Sequence, residues 1–391
     1  MSAPEVISLG CRLNIAESER MKAMLADAGD IVVVNSCSVT NEAVRHTRQA
    51  IRRARRERPQ ARLIVTGCAA ETDRAALAAM PEVDGLVANA AKLDARSWNA
   101  PIAEAPPPPT RTRAFIGVQN GCDHACTFCS IPAGRGRSRS LAIAEVLREV
   151  EGHLVAGAKE IVFTGVDLTS WGQDISNTPR LGELIEATLD EFHQLTRLRL
   201  SSVDGVEIDP ALFDLLAGEE RVMPHVHLSL QHGADLMLKR MKRRHSRADA
   251  MDLVARLKAR RPEIAIGADL IAGFPTETDE HHAANLSIIE ELDIVHGHIF
   301  PYSPRANTPA ARMPQVERAV VKARAGELRA RVARHRARWL ESLVGETFPV
   351  LAERDGTGYA PNYARVALPE GTPAGEIVAV TPRRVEGGLL T

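Results

Sequence analysis

Aromatic residues and long apolar runs are scarce in this sequence. Phenylalanine, tryptophan and tyrosine make up only 4% of the 391 residues, so few side chains are present to stack on bases. No apolar run reaches the roughly 18 residues of a membrane-spanning helix, and we expect no membrane span. The first ten residues lack the basic start and apolar stretch of a secretory signal, which predicts a cytoplasmic protein.

Net charge is almost absent, because 49 lysines and arginines oppose 50 acids and leave a formal charge of -1. Any affinity for a polyanion must therefore come from local basic surfaces. The 45% share of hydrophobic and 25% share of charged residues are ordinary for a folded soluble protein and exclude disorder of the whole chain. At about 100–200 residues per domain, the length predicts two or three domains.

The cysteines are six in number and fall into two groups. The scattered group is Cys11, Cys37 and Cys68, and the clustered group is Cys122, Cys126 and Cys129. Thiols stay reduced in the cytoplasm, so spaced cysteines there typically bind metal or do chemistry.

Each cysteine of the scattered group follows a predicted strand. These strands, at residues 6–9, 31–34 and 63–66, alternate with predicted helices at 16–28 and 42–58, which indicates a parallel, Rossmann-like α/β domain. The carboxyl ends of parallel strands lie on one edge of a sheet, so the three thiols should converge there. The pattern favours a metal or cluster site, and the alternative is three ordinary buried cysteines.

The rest of the chain predicts two further domains. Six strand candidates alternate with helices, at residues 114–119, 160–164, 197–201, 225–229, 264–271 and 297–301. They predict a partial (β/α)6 barrel of the TIM type. Short strands after residue 340 predict a small antiparallel β-barrel that either binds RNA or simply packs on the rest. The four prolines at 106–109 predict a spacer, which gives domains at 1–105, 111–338 and 340–391.

The clustered cysteines have the spacing CxxxCxxC. Three thiolates can hold three irons of a 4Fe-4S cluster and leave the fourth iron open to a ligand. The motif directly follows the first strand of the barrel-like domain, where active-site loops belong. The alternative is a zinc site with His124 as fourth ligand.

This loop resembles that of the radical S-adenosylmethionine (SAM) superfamily. The resemblance implies that the open iron binds the amino and carboxyl groups of SAM. One-electron reduction then cleaves SAM to methionine and a deoxyadenosyl radical. The resemblance further implies SAM contacts from the cluster loop and from later strand ends, at Phe128, Thr164, Gly165, Val166, Arg199, Ser201, Ser202, Gly273, Phe274 and Pro275.

The whole chain, in order, resembles the methylthiotransferases, which carry an N-terminal cluster domain, a radical barrel and a TRAM-type β-barrel. This implies two 4Fe-4S clusters. The cluster on Cys11, Cys37 and Cys68 holds sulfur, which one SAM methylates. The second, on Cys122, Cys126 and Cys129, uses another SAM for the radical step.

Three branches of that family compete. The segments 8–14, with Gly10-Cys11-Arg12-Leu13-Asn14, and 300–305 resemble the branch that acts on carbon 2 of threonylcarbamoyladenosine beside the tRNA anticodon. Branches acting on isopentenyladenosine in tRNA or on a ribosomal-protein aspartate stay open, as does a non-catalytic iron–sulfur protein. Asp167 and Trp171 stand where the family has His and Tyr, and His232 stands in its Pro-Leu-Gln-Ser-Gly motif, which bears on the substrate pocket.

Arginine-rich segments predict phosphate contacts despite the low net charge. Residues 45–62 contain eight arginines against one acid, and 239–247 and 313–338 are also basic. Solvated helix faces are the alternative. RNA contacts are expected from Arg52, Arg55, Arg56, Tyr359 and Tyr363. The implied partners are tRNA and a reducing system such as flavodoxin or ferredoxin; the chain is expected to be a monomer, and the sulfur source is not indicated.

Overall fold

A computed structural model describes residues 3–99 and 112–391 of the protein. The proline run at 106–109, where the sequence predicts a domain boundary, lies outside these residues. Among the helices of the described ranges, none combines the length and apolar character needed to cross a membrane.

The N-terminal part is a parallel sheet covered by helices. Its four strands lie in chain order, β1 (Glu5–Ser8), β2 (Ile31–Ser36), β3 (Arg62–Gly67) and β4 (Gly85–Leu86). The helices are α1 (Arg12–Met24), α2 (Asn41–Glu57), α3 (Cys68–Thr72) and α4 (Arg74–Ala78). The predicted parallel sheet is confirmed, although α1 begins four residues before the predicted start. The strand β2 is buried throughout, because helices cover both faces of the sheet.

The central part contains two parallel sheets that follow one another in the chain. One has the order β5 (Arg113–Gly117), β8 (Glu160–Thr164), β9 (Leu198–Leu200) and the other β10 (Ser202–Val203), β11 (His225–Gln231), β12 (Ala265–Ala272), β13 (Ile294–Pro301). A short hairpin, β6 (Gln119–Asn120) with β7 (Arg139–Ser140), follows β5. The helices are α5 (Ile131–Arg135), α6 (Ile143–Val155), α7 (Leu181–Glu191), α8 (Pro210–Gly218), α9 (Asp235–Arg240), α10 (Arg247–Arg260), α11 (Asp279–Glu291) and α12 (Arg318–Ser342).

Alternation along these strands separates an apolar side from a polar side. Leu198 and Leu200 pack in the large core beneath the helices, whereas Arg197 and Arg199 point to the other side. There Glu160, fully buried, accepts hydrogen bonds from Arg197 Nε and Arg199 Nε, each at 2.9 Å. Burial alone would raise the pKa of Glu160, but the two guanidinium groups outweigh it and hold the pKa at about 2.

The stability of the protein should therefore fall as the pH drops from about 4.5 towards 2. The pKa of Glu160 is about 2 in the fold against an ordinary 4.5, so its stabilisation is complete above 4.5 and disappears as the pH falls through 2. Urea unfolding at stepped pH measures this slope. The variant Glu160→Gln should flatten it, and the exposed Glu42→Gln should not. An unchanged slope in Glu160→Gln would contradict the assignment.

The C-terminal part is a mixed sheet. Its strands are β14 (Phe348–Ala352), β15 (Thr357–Tyr359), β16 (Arg365–Ala367), β17 (Ile377–Val380), β18 (Val385–Glu386) and β19 (Leu389–Leu390). The order is β17-β14-β15-β16-β19-β18, and the two edge strands do not pair with each other in the described residues. The predicted antiparallel barrel is thus wrong in one respect, because β16 and β19 are parallel. After β17 the chain crosses to the other side of the sheet and forms the β18–β19 hairpin. The second strand of this hairpin, β19, pairs with β16 and runs parallel to it.

The end of α12 belongs to the core of this mixed sheet. Leu340 and Leu343 pack against Val350, Val366 and Leu390. The long helix, which also packs along β13, therefore ties the C-terminal sheet to the central strands.

Candidate functional site

The scattered cysteines all lie at the carboxyl edge of the N-terminal sheet. Cys11 follows β1, Cys37 directly follows β2, and Cys68 is the first residue of α3 after β3. Cys11 is exposed, and the other two are buried. Burial raises the pKa of the Cys37 thiol, and the nearby thiols of Cys68 and Cys11 raise it further. The thiols of Cys11 and Cys68 thus lie close enough to Cys37 to affect the ionisation of its thiol.

Close backbone packing brings the first two of these loops together. Gly10 has a φ of +95°, and a Cβ there would lie 2.7 Å from the Cβ and 2.8 Å from the Sγ of Cys37. The Asn14 side chain donates to the Leu9 carbonyl at 2.5 Å and to the Ser36 carbonyl at 3.1 Å. The sheet edge therefore leaves space beside the thiols only because glycine occupies position 10.

The clustered cysteines occupy the loop between β6 and α5. The backbone N–H groups of His124 and Ile131 lie 3.4 Å from the Sγ atoms of Cys122 and Cys129, respectively. The guanidinium of Arg243 lies 3.8 Å from Cys126 Sγ. Donors aimed at sulfur suit thiolates that hold a cluster, because they stabilise negative charge on the ligand atoms.

All six thiols are free, which leaves them available as ligands. Burial raises the pKa of Cys129 to about 11, so this thiol keeps its proton at neutral pH until a metal replaces it. The scattered cysteines lie beside Gly10, which leaves space next to the thiols, and the clustered cysteines lie beside backbone N–H donors. These two sets of three free thiols fit two iron–sulfur clusters.

His124, the fourth ligand of the alternative zinc site, is paired with two carboxylates in this structure. His124 Nε2 lies 2.8 Å from Asp167 Oδ2 and 3.7 Å from Glu207 Oε1. Hydrogen bonds to these carboxylates raise the pKa of His124 to about 10, so the imidazole is protonated at neutral pH. In this arrangement His124 is the cation of an ion pair with Asp167 and Glu207. The sequence did not predict this ion pair, because its partners come from three separate loops.

The structure places the two groups of cysteines next to each other. The Asn89 amide Nδ2 donates to the Gly134 carbonyl at 2.5 Å and lies 3.9 Å from Cys68 Sγ. A Cβ on Gly134, which follows the clustered cysteines in α5, would lie 3.3 Å from the Cys68 Cβ. The charge of Cys68 also contributes to the raised pKa of Cys129. The Cys68 thiol therefore lies near the loop and helix that carry the clustered cysteines.

A buried ionic network joins the N-terminal and central parts of the protein. Glu17 of α1 accepts from Lys92 Nζ at 2.6 Å and from Arg135 Nη1 at 2.9 Å. Arg135 also donates to Asn14 Oδ1 at 2.5 Å, and Lys92 donates to Asn35 Oδ1 at 3.2 Å. Burial would raise the pKa of Glu17, but the two cations outweigh it and lower the pKa. The three charged side chains are almost completely buried, which fixes α1 against α5.

Several predicted SAM contacts lie around the clustered cysteines. Phe128 meets the buried ring of Phe274 edge to face, with the ring centroids 6.5 Å apart. Gly273 has a φ of +70° and packs against α12, where a Cβ would lie 2.5 Å from a Val321 methyl group. Pro275 follows Phe274 in the same turn. This turn is thus fixed by packing from both sides.

The Thr164-Gly165-Val166 segment ends β8 as predicted, and Gln119 holds it. Gln119 Oε1 accepts from the backbone N–H groups of Val166 at 3.0 Å and Asp167 at 2.9 Å. A Cβ on Gly165 would lie 2.9 Å from the same oxygen. Gly165 therefore permits close contact between β6 and the end of β8.

Arg199, another predicted SAM contact, has internal partners on the polar side of the strands. Its guanidinium is completely buried, bonds Glu160 and donates to the Pro361 carbonyl at 3.1 Å. The side chain points to the polar side of β9 and reaches the C-terminal sheet. Its positive charge is therefore balanced by Glu160, and its remaining donor holds the Pro361 carbonyl. Ser201 and Ser202 follow it, and the buried Oγ of Ser201 has no hydrogen-bond partner among the described residues.

The predicted RNA contacts divide into exposed and occupied side chains. Arg52 lines a groove of about 490 Å³ on α2 together with Arg45 and Arg48, and Arg56 is exposed. Arg55, by contrast, donates to the backbone carbonyls of Glu82, Pro59 and Ala61.

Tyr359 and Tyr363 are stacked on each other with centroids 4.8 Å apart. Arg113 lies 4.4 Å above the Tyr359 ring, and the Tyr363 ring lies 4.9 Å from that of His225. The other two basic segments also use arginines internally, because Arg243 binds Asp204 and Arg324 binds Glu277.

The polar side of β11 and β13 carries histidines that were not among the predicted site residues. His227 Nε2 and His298 Nδ1 lie 3.0 and 3.1 Å from the same oxygen of Asp269 in β12. Burial would raise the pKa of Asp269, but the two histidines outweigh it and lower the pKa strongly. The signal was present, since histidines alternate at 225 and 227 and again at 296 and 298, as expected for one face of a strand.

Family models match two parts of the chain. The radical SAM superfamily model matches residues 116–286, which include the clustered cysteines. A model described as "Uncharacterized protein family UPF0004" matches residues 4–88, which include the scattered cysteines.

Curated relatives match nearly the whole chain. The "Threonylcarbamoyladenosine tRNA methylthiotransferase MtaB" of Rickettsia prowazekii is 39% identical over 99% of this chain and 96% of its own length. The protein of the same name from Bacillus subtilis is 33% identical over 92% of this chain and 89% of its own. The "tRNA-2-methylthio-N(6)-dimethylallyladenosine synthase" of Paracoccus denitrificans is 31% identical over 89% of this chain and 85% of its own.

Among solved structures, the radical SAM methyltransferase TsrM from Kitasatospora setae is similar in fold. The TM-score is 0.56 at 17% identity, over 79% of this chain and 75% of TsrM. This likeness concerns the α/β fold with its parallel sheets.

Proposed function

The chain belongs to the radical SAM methylthiotransferase family, and on that premise we propose that it joins a methylthio group to carbon 2 of N6-threonylcarbamoyladenosine at position 37 of tRNA, next to the anticodon. The observation that carries this proposal is the close packing of Cys68, from one cysteine group, against Gly134, which follows the other group in α5. Two cysteine sites near each other suit a reaction that needs a sulfur carrier and a radical source.

Relatives of two substrate types match the chain, and the identities favour the first type. The relative named for threonylcarbamoyladenosine reaches 39% over 99% of the chain, and the relative named for dimethylallyladenosine reaches 31% over 89%. The 8–14 segment, with arginine after the first cysteine, supports the same branch.

Two 4Fe-4S clusters and SAM are the proposed cofactors. Cys122, Cys126 and Cys129 would hold the cluster that the radical SAM fold implies, and Cys11, Cys37 and Cys68 would hold a second. When bound, these groups supply a carbon-centred radical and a reactive sulfur, which an unactivated adenine C–H bond requires.

The protein's own residues position and shield that chemistry. The carboxamide of Gln119 accepts a hydrogen bond from the backbone N–H of Val166 and fixes that turn. The carboxylate of Glu277 accepts one from the backbone N–H of Gly273 and fixes the other turn. We propose that these turns contact SAM together with Phe128, Phe274 and Pro275, while Thr164, Gly165, Ser201 and Ser202 border the same space. Arg199 is not included, because Glu160 and the C-terminal sheet occupy its guanidinium.

For the tRNA, we propose a surface on α2 that includes Arg52 and Arg56 and offers sequence-independent phosphate contacts. The C-terminal sheet is the candidate TRAM-like RNA-binding unit, and the partly buried Tyr359 and Tyr363 stay its candidate stacking residues. We further propose the division 1–105, 111–338 and 340–391, a partial barrel in the central unit, a monomer in the cytoplasm, and flavodoxin or ferredoxin as reductant.

Nucleoside mass analysis of tRNA from cells that lack the gene tests the function. We expect complete loss of 2-methylthio-threonylcarbamoyladenosine, with accumulation of the unmethylthiolated nucleoside. Restoring the gene should restore the product. If only the dimethylallyl analogue disappears, the substrate assignment is wrong.

A further inference from the structure

Arg12 is the first residue of α1 and directly follows Cys11, a proposed cluster ligand. Its Nη2 donates to the Tyr363 hydroxyl at 2.7 Å. The centre of its guanidinium lies 5.5 Å from the Tyr363 ring and 5.9 Å from the Phe115 ring. The side chain is therefore half-buried between two aromatic rings, beside the first cysteine group.

Most arginines of this region pair with a carboxylate, as Arg135 does with Glu17, Arg113 with Glu353, Arg199 with Glu160, Arg243 with Asp204 and Arg244 with Glu207. Arg336 instead contacts His296 Nδ1, at 2.5 Å. Within residues 3–99 and 112–391, the partners of Arg12 are a neutral phenol and two ring faces. A half-buried cation without an acid is costly unless a ligand supplies the negative charge.

The surroundings of Arg12 favour an anion. The polar side of the central strands carries the histidines at 225, 227, 296 and 298. Arg12 is close enough to lower the pKa of His225, together with burial and the neighbouring cations. Asp269 already accepts hydrogen bonds from two of these histidines, so it is not free to neutralise Arg12.

The two substrate types named for the relatives differ in charge. A threonylcarbamoyl group ends in a carboxylate, whereas a dimethylallyl group is a hydrocarbon. We propose that Arg12 binds the threonyl carboxylate of the modified adenosine and thereby sets the preference for this substrate. This inference rests on the proposed function, and it assigns a specificity role to a residue beside the cluster rather than on the RNA-binding surface.

A binding cycle tests this role in the full-length protein. The probes are an anticodon stem-loop with threonylcarbamoyladenosine, the same stem-loop with its carboxylate as the methyl ester, and a stem-loop with dimethylallyladenosine. Because a charge-assisted hydrogen bond contributes about 1.5–3 kcal/mol, Arg12→Gln should weaken binding of the acid about 10- to 100-fold. Binding of the ester should change little, and Arg12→Lys should retain most of the preference for the acid.

The matched control is Arg20→Gln on the same helix, where Arg20 pairs at the surface with Glu149 at 3.1 Å. It should leave all three affinities unchanged. The kinetic counterpart is methylthio product formation, in which Arg12→Gln should lower kcat/KM for the acid and leave deoxyadenosine formation without RNA intact.

Three results would overturn the role of Arg12. Equal losses for acid and ester would exclude carboxylate recognition, and a smaller salt dependence for every stem-loop would assign Arg12 to a phosphate. A loss of deoxyadenosine formation without RNA would assign it to SAM. Failure of the proposed function is distinct, because the wild type itself would then leave the threonylcarbamoyl stem-loop unmodified.

Discussion

Replacing Cys126 with alanine should abolish both methylthio transfer and the formation of deoxyadenosine from SAM. Cys126 is the middle cysteine of the clustered group, and Arg243 Nη1 lies 3.8 Å from its sulfur. Without it, two thiols remain to hold an iron–sulfur cluster, which is fewer than the three that leave one iron open. Quantifying deoxyadenosine and methylthio product under reducing, oxygen-free conditions gives the direct measurement.

The iron content separates this effect from unfolding. If the two cysteine groups load independently, Cys126→Ala should retain about half of the wild-type iron. The reciprocal variant Cys68→Ala removes a ligand from the other group; it should lose methylthio transfer but keep deoxyadenosine formation. Deoxyadenosine from Cys126→Ala at the wild-type rate would refute the assignment of the clustered cysteines.

Replacing Glu17 with leucine should lower the free energy of unfolding by about 3–5 kcal/mol, because it leaves two buried cations without a counter-charge. Arg135 and Lys92 are each only 1% exposed in their side chains, so water cannot solvate them. Urea unfolding measures the loss. The largest change should appear at the boundary between α1 and α5, where limited proteolysis would report opening.

The matched control for Glu17→Leu is Glu57→Gln, which breaks the surface pair of Glu57 with Arg53 on α2. An exposed pair of this kind contributes about 0–1 kcal/mol, so this variant should unfold almost like the wild type. Equal stability losses in the two variants would mean that the buried network does not carry the contact between the two parts.

Sequence reasoning found what local patterns encode. The apolar run at 31–34 predicts a buried parallel strand, which the structure extends to Ile31–Ser36. The order strand, cysteine, helix predicts that Cys11, Cys37 and Cys68 share an edge. The CxxxCxxC spacing lies within one loop, so its meaning does not depend on distant contacts.

The remainder depends on partners far apart in the chain. Glu17 meets Lys92 and Arg135 across 75 and 118 residues, respectively, and no local pattern pairs them. The sequence correctly places Arg199 in a strand, yet the position of its guanidinium depends on Glu160 in the neighbouring strand. The mixed C-terminal sheet was missed for a similar reason, because the place where β19 joins it depends on a chain crossing rather than on strand propensity.

The contact of Asn89 with the Gly134 carbonyl has a consequence for biogenesis. Cys68 emerges from the ribosome well before Gly134. While the N-terminal sheet first folds, the Gly134 segment that packs against Cys68 has therefore not yet been made. Iron delivered during translation would meet an open, oxidisable half-site. Insertion of a proposed cluster at Cys68 should therefore follow the emergence of the segment that contains Gly134, rather than the folding of the N-terminal sheet alone.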